Sequence, residues 1–466
     1  MTGELSPQEI VERILEHSRA DGTVVLVDEH ISTNVRFANN TLTTNGLMRS
    51  RSITVVATIG TGTGTAAGVL ARSAVSAETL EPLVRAAEAA AVANGDADDA
   101  APLVAGDAAA DWAEPPGETS EQAFNTIAPD LGQAFSRATA EERMLYGYVE
   151  HAVTTTYVGS STGLRLRHEL PTGHIGITGK SADLARSAWV GQSASDLSQV
   201  DIATLDAELE RRLGWARRSV DLDAGTYDLV LPPTAVADLL IYAYWSMAAR
   251  DAHEGRSVYG RPGEGALIGE QLIDRSQLAP TLWSDPAAPA LSAAPHHFAR
   301  SSHTAQSVFD TGMPLNRTEW IRQGQLTALL QTRETADLTN QPVTPPIDNL
   351  VLDVHGGHGT TDDLVSNVND GLLLTCLWYI RAVDPQTLLL TGLTRDGVYV
   401  VRDGEIVGAA NNFRFNESPI SLLNRFSAAG STVPCFSREW GDYFPRTAMP
   451  PLRVPDFRMS SVSAAT

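Results

Sequence analysis

His253-Glu254 directly follows an apolar segment running from Leu239 to Ala249. In zinc peptidases an adjacent histidine and glutamate supply a metal ligand and the general base that activates the metal-bound water. That chemistry needs a second histidine on the same helical face, normally four residues on. Ser257 stands there, and Val258 follows it. The pair fits equally an ion pair at a helix end, with Arg250 or Arg256 as the cation. The other ligand-like spacing is Asp353-Val354-His355-Gly356-Gly357-His358-Gly359, followed by Asp362-Asp363. Paired histidines beside carboxylates suit Zn²⁺, Ni²⁺ or Mn²⁺. The glycines make the segment a surface turn, and a ligand site on a turn needs outer support to orient it. His296-His297 and His303 lie in an irregular Ala/Pro/Ser stretch that reads as surface loop.

The two cysteines divide. Cys376, inside the apolar run Leu372 to Ile380, is expected to be buried and inert. Cys435, after Gly430-Ser431-Thr432-Val433-Pro434, is either a thiolate ligand or nucleophile or another inert thiol, and nothing beside it would depress its pKa. A dense polar run, Asn411-Asn412-Phe413-Arg414-Phe415-Asn416-Glu417-Ser418, completes the candidates. Under strand periodicity the two rings share one face, and Asn412, Arg414 and Asn416 the other. Such a face either locks a domain corner or holds a peptide backbone, with Arg414 bonded to carbonyls or to Glu417. No phosphate-cradling Gly-x-x-x-x-Gly-Lys loop and no serine nucleophile elbow occurs. Gly60-Thr61-Gly62-Thr63-Gly64 lacks the dinucleotide-loop spacing.

These residues must be positioned by an α+β fold. Ser6-Pro7-Gln8-Glu9 offers a capping box, and Ile10, Val11, Ile14 and Leu15 recur at helical spacing up to Asp21-Gly22. Strands are expected over Thr23–Val27, Ser32–Phe37 and Ser52–Ile59, with turns at Asn39-Asn40 and Thr44-Asn45-Gly46. A second helix follows over Ser76–Ala91. Residues 95–120 read as a solvated loop. Beyond them come a helix over Glu121–Ala138, strands over Tyr146–Tyr157 and Leu164–His168, and a helix over Ile202–Arg218. After a boundary at Asp221 to Gly225, the strand Tyr227–Leu231 leads into an apolar helix, then into strands over Thr387–Leu393, Gly397–Val401 and Glu405–Val407. Asp403-Gly404 is the hairpin signal between the last two. The divisions are residues 1–94 as an N-terminal α+β domain, 95–222 as linker and middle region, and 223–466 as a C-terminal domain rich in antiparallel strands.

Composition bounds the function. Lys and Arg number 34 against 56 Asp and Glu over 466 residues, a formal charge of −22. That excess argues against a nucleic-acid or anionic-membrane partner, since phosphate binding needs clustered cations. Lys180 is the single lysine, which confines Schiff-base chemistry to that position. Two cysteines fit a reducing compartment. The opening stretch is acidic and has no apolar signal core, and Leu239–Ala249 is about half the ~20 residues a membrane span needs. A cytoplasmic protein is expected.

Residues 371–419 carry a resemblance. They read Gly371-Leu372-Leu373-Leu374-Thr375-Cys376-Leu377-Trp378-Tyr379-Ile380-Arg381, then Val383-Asp384-Pro385-Gln386-Thr387, Thr391-Gly392-Leu393-Thr394-Arg395-Asp396-Gly397-Val398-Tyr399, and the Asn411 to Ser418 run. This resembles the C-terminal domain of the TldD/PmbA family of paired metallopeptidase proteins. Pro451 to Phe457 with Ser460-Ser461 is similar to the family's closing strand, and Asn34 to Gly46 to its N-terminal meander. The resemblance implies one of two subunit types. The TldD type holds zinc on a His-Glu-x-x-x-His helix and a distant cysteine, whereas the TldE (PmbA) type lacks the metal site. Val258 stands where the second histidine would be, so the chain resembles the TldE type.

The implied function is that of a non-catalytic subunit in a heterodimer whose TldD-type partner carries zinc. The pair encloses a chamber and hydrolyses small or unfolded peptides or peptide-like intermediates. No cofactor is then expected on this chain, and Asn411 to Ser418 is expected near the chamber. Two alternatives stay open. One is a stand-alone metallohydrolase with a reconfigured site drawn from His253, Glu254 and Cys435, or from His355 and His358. The other is a peptide-binding scaffold.

Overall fold

The computed structural model describes residues 5–73, 75–274 and 277–463; the first four residues of the acidic opening stretch lie outside them. Helix α1 (Pro7–His17) starts as its sequence dictates. Ser6 and Glu9 close the capping box, and Ile10, Val11 and Ile14 are buried. Strand β1 (Gly22–Ala38) is a single strand where two were expected, and β2 (Thr41–Gly60) runs straight through Thr44-Asn45-Gly46, expected as a turn. The reversal lies wholly at Asn39-Asn40, both left-handed at φ 51° and 58°. That two-residue turn fixes a register which carries Gly46 opposite Asn34, so the second turn signal is overridden by cross-strand pairing. Strand β3 (Thr65–Arg72) begins inside the Gly/Thr-rich stretch. Helix α2 (Leu80–Asn94) lies close on it: a Cβ on Gly68 would stand 2.1 Å from the Ala87 carbonyl oxygen.

Residues 95–120 are irregular. A short 3₁₀ turn and α3 (Ala128–Ala140) follow, the break coinciding with Pro129 in the first helical turn. Strands β4 (Arg143–Ser160), β5 (Arg165–Ser181) and β6 (Ser187–Ala194) then extend the first meander, and α4 (Ile202–Trp215) closes this half. The six strands form one antiparallel sheet in the order β3-β2-β1-β4-β5-β6, so residues 22–72 and 143–194 share a single sheet. One face is covered by helices. Val25, Val27, Ile53 and Val55 pack against α1 and α2, and Phe37, Leu145, Val149, Ile175 and Ile177 against α3 and α4. Asp206 of α4, 2% exposed, accepts hydrogen bonds from Arg137 and Arg143 at 2.9 Å each, pinning α3 and α4 to β4.

From Gly225 onward two further sheets enclose an apolar helix. The larger is mostly antiparallel and includes Gly225–Leu231, Asp370–Leu374, Leu389–Thr394, Val398–Arg402, Phe413–Glu417 and Leu452–Val462. The smaller joins Pro280–Ser284, Thr318–Arg322, Leu350–Val354, Val433–Cys435 and Thr447–Met449. Helix α5 (Pro233–Trp245) is buried nearly all round, from Ala235 to Tyr244, in a core shared with Leu229, Leu350, Leu352 and Met449. Asp403-Gly404, at φ 49° and 80°, turns the expected hairpin. The class is α+β.

Candidate functional site

The second face of the six-stranded sheet is divided. At one end Val24, Leu26, Val56, Val158, Leu164 and Leu166 make a dry contact with Val308 and Phe309 of the C-terminal half. Further along the same strands the inward residues turn polar, and register sets them in rows. Asp28 lies opposite Thr156, which lies opposite His168; His30 opposite Thr154; Glu150 opposite His174. Period-2 alternation places all of these on the face turned toward the C-terminal half. Threonine and histidine side chains cannot be packed dry without partners, so the two halves part there and leave a cleft.

Asp28 marks the line between contact and cleft. It accepts from Thr156 Oγ1 at 2.6 Å and from Arg300 Nε at 2.7 Å, with a second guanidinium nitrogen of Arg300 on its other oxygen. Two cavities, about 760 and 350 Å³, share Thr154, Leu170 and Asp348, and a third of about 180 Å³ adjoins through Thr172, Gly173 and Arg446. Asp348 is open to the cleft, yet burial raises its carboxyl pKa against the pull of Arg446 and Arg300. Burial lowers the Arg446 guanidinium. Burial, then Arg446, pushes His168 down to about 4. His174 lies between the Tyr148 ring at 5.6 Å and the Phe436 ring at 5.3 Å, and burial lowers it too. The cleft thus sets His168 and His174, both disfavoured as cations, beside the half-buried Arg446 and the exposed carboxylate of Asp348.

The candidate metal ligands and the polar run read from sequence do not line these cavities. His253 ends the five-residue helix α6 (Ala249–His253), and Glu254 is its C-cap. The Glu254 carboxylate pairs with Arg256 and, at 3.9 Å, with Arg250, while Val258 packs against the C-terminal core. Cys435 Sγ stands 3.4 Å from Thr447 Oγ1, and burial pushes its thiol up to about 12. Zinc needs deprotonated ligands converging at about 2 Å. Here the glutamate is bound to two arginines and valine stands where the second histidine would be, so the set does not fit the ion. His355 and His358 are exposed in a glycine turn. Of the acids beside them, Asp363 caps the helix Thr361–Val365 and Asp362 pairs with Arg211 at 2.7 Å. Among the described residues no group of three or more His, Cys, Asp or Glu is placed to hold a metal. Cys376 is buried and its thiol is raised by burial. His297, expected on a surface loop, is instead 4% exposed and lines the smaller cleft cavity, because its loop is folded in with Phe298 and Phe309.

The polar run is a lock of a different make from the one expected. Phe413 and Phe415 are fully buried on one face. Asn411 Oδ1 accepts from Leu222 N at 2.7 Å, Asn412 Oδ1 from Thr394 Oγ1 at 3.1 Å, and Asn416 Oδ1 from Thr391 Oγ1 at 3.0 Å. Arg414 is exposed and donates to Thr391 Oγ1 at 3.5 Å. The cation on Glu417 is Arg425, not Arg414, because strand alternation sends residues 414 and 417 to opposite faces.

Residues 224–461 match the family model described as the PmbA/TldA metallopeptidase C-terminal domain. The chain belongs to the PmbA/TldD family. A search of curated proteins finds no match. Among solved structures, TldE from Thermococcus kodakarensis is similar at TM-score 0.73 and 14% identity, over 97% of this chain and 99% of that one. A protein from Thermotoga maritima, titled a modulator of a DNA gyrase, matches at TM-score 0.73 and 15% identity over the same shares. One from Bacteroides thetaiotaomicron with a like title matches at 0.71 and 13%, over 98% and 99%. These likenesses show that the PmbA/TldD fold extends over the whole chain. The cleft residues Asp28, His168, Arg300, Asp348 and Arg446 escaped the sequence reading. The one signal was His168-x-Leu170-x-Thr172-x-His174, a strand face too polar for a dry core.

Two outcomes follow from these surroundings. His297 is held at about 4 in the fold against 6.5 for a free imidazole, so the unfolded chain binds more protons between those values. Stability is full above 6.5 and falls as pH drops toward 4. The urea midpoint of the native chain should fall further over that window than that of His297→Asn; equal losses would contradict the burial argument. Arg414→Ala should change stability by less than about 0.5 kcal/mol, whereas Glu417→Ala, which removes the buried carboxylate paired with Arg425, should cost about 3 kcal/mol. Urea unfolding of the two variants checks the contrast.

Proposed function

We propose that this chain is the zinc-less, TldE-type subunit of a cytoplasmic heterodimeric peptidase whose TldD-type partner carries the metal. The pair would hydrolyse small or unfolded peptides or peptide-like intermediates. The observation that carries this reading is the fate of the His253-Glu254 site. Val258 occupies the second ligand position, and Arg250 and Arg256 hold the carboxylate that would otherwise act as base. A carboxylate in two ion pairs has its lone pairs directed at arginine rather than at a water. The shared fold with the Thermococcus TldE supports the subunit type. No hydrolytic step is assigned to this chain; zinc on the partner would supply the activated water.

The cleft favours a second reading, a peptide-holding scaffold, since it is a polar, water-accessible space inside one subunit. Metal analysis and peptide hydrolysis on the purified chain, alone and mixed with a TldD-type subunit, test both. The chain alone should carry well under one zinc and cleave nothing. Hydrolysis should appear in the mixture and survive Glu254→Gln within about twofold, as expected for exposed ion pairs. Stoichiometric zinc with hydrolysis by the chain alone would overturn the proposal in favour of a stand-alone metallohydrolase. Peptide retention without hydrolysis in the mixture would favour the scaffold.

A further inference from the structure

Asp348 and Arg446 are brought together by the smaller C-terminal sheet. Each precedes a strand, Leu350–Val354 and Thr447–Met449, and these strands pair in parallel with Leu350 opposite Thr447. Leu350 N donates to the Arg446 carbonyl at 3.0 Å, so the two strand starts are fixed side by side, about 4.8 Å apart as paired strands are. Both side chains line the cavity of about 760 Å³ against β4 and β5.

Neither charge is satisfied by the protein. Among the described residues the Asp348 carboxylate accepts no hydrogen bond and enters no ion pair. Arg446, with five N–H donors, makes one side-chain hydrogen bond, at 3.3 Å to the Pro171 carbonyl. Opposite charges on neighbouring strand starts that do not meet leave room for a ligand between them. The polar wall is also incompletely paired. His168 Nε2 and His297 Nε2 are buried without hydrogen-bond partners, and His297 is 4% exposed. Two charges of opposite sign that face one cavity without pairing to each other are complementary to a molecule carrying both. A simple anion would satisfy Arg446 and be repelled by Asp348; a simple cation would do the reverse.

The geometry points to a ligand site in this chain's own cleft for a small zwitterion, its carboxylate taken by Arg446 and its ammonium by Asp348. A free α-amino acid and a short peptide with free termini share that chemistry. The cavity is within the roughly 300–1,000 Å³ of small-molecule sites. His253 and Cys435 contribute nothing to its lining. It deepens the peptidase reading by naming a species that the chain itself would hold. Binding is measured without partner or zinc, so its failure and the failure of that reading are separable.

The experiment is titration calorimetry on the full chain with L-alanyl-L-alanine, L-alanine, acetate and N-acetyl-L-alanine amide. Saturable binding of the dipeptide or the amino acid is expected, the tighter of the two identifying the source. Acetate and the capped compound should bind at least about tenfold more weakly. Asp348→Asn and Arg446→Gln should each weaken the zwitterion at least about tenfold, with circular dichroism unchanged. Should Arg446→Gln fail to fold, Asp348→Asn decides alone, because its side chain bonds to nothing in the fold. The proposal is overturned if neither zwitterion saturates, if the capped compound binds equally, or if Asp348→Asn binds as the native chain does.

Discussion

The bidentate pair between Asp28 on β1 and Arg300 of the C-terminal half is the constraint on which the interior depends. On its apolar side the sheet meets Val308 and Phe309 without water. On its polar side the strands present Thr154, Thr156, His168 and His174, whose side chains need partners the opposite wall only partly supplies. A closed interface would strand those groups, and an open one would expose the apolar half. The ion pair holds the seam where one regime gives way to the other, so the halves are joined along an edge with a wet cleft beyond it. Thr156, bonded to the same carboxylate, ties the neighbouring strand into the seam.

The electrostatics of the cleft follow from that geometry. Walls on both sides remove part of the water around the side chains while leaving a cavity between them. Burial disfavours the charged forms of His168 and His174, and at His168 the positive charge of Arg446 adds to it. Arg446 and Asp348 keep opposite charges on adjacent strand starts because backbone pairing, not their attraction, sets their separation. The region around Glu254 shows the opposite solution, a carboxylate saturated by arginines at a helix end. The C-terminal half of this PmbA/TldD chain thus holds both kinds of site, charges left unpaired at the cleft and charges paired around Glu254.

Much of the scaffold was legible because it rests on local rules. The Ser6–Glu9 box, the Asn39-Asn40 and Asp403-Gly404 turns and the alternation of Phe413 and Phe415 each depend on neighbours in sequence. Thr44-Asn45-Gly46 misled because a register fixed five residues away outweighed its own turn preference, and Arg414 misled because its neighbour Glu417 had a better cation in Arg425. The cleft was illegible for a stronger reason. Asp28, His168, Arg300, Asp348 and Arg446 come from five distant segments, and no spacing rule links them before the sheets are assembled. Their only trace was a strand with histidine and threonine where a core face would be apolar.

A double-mutant cycle on Asp28 and Arg300 tests the seam directly, using Asp28→Asn, Arg300→Gln and the double variant in urea unfolding. The account predicts that the two substitutions are non-additive, with a coupling of about 1–2 kcal/mol, as expected for a partly buried bidentate pair. Additivity within about 0.3 kcal/mol would mean that the pair does not join the halves, and would contradict it.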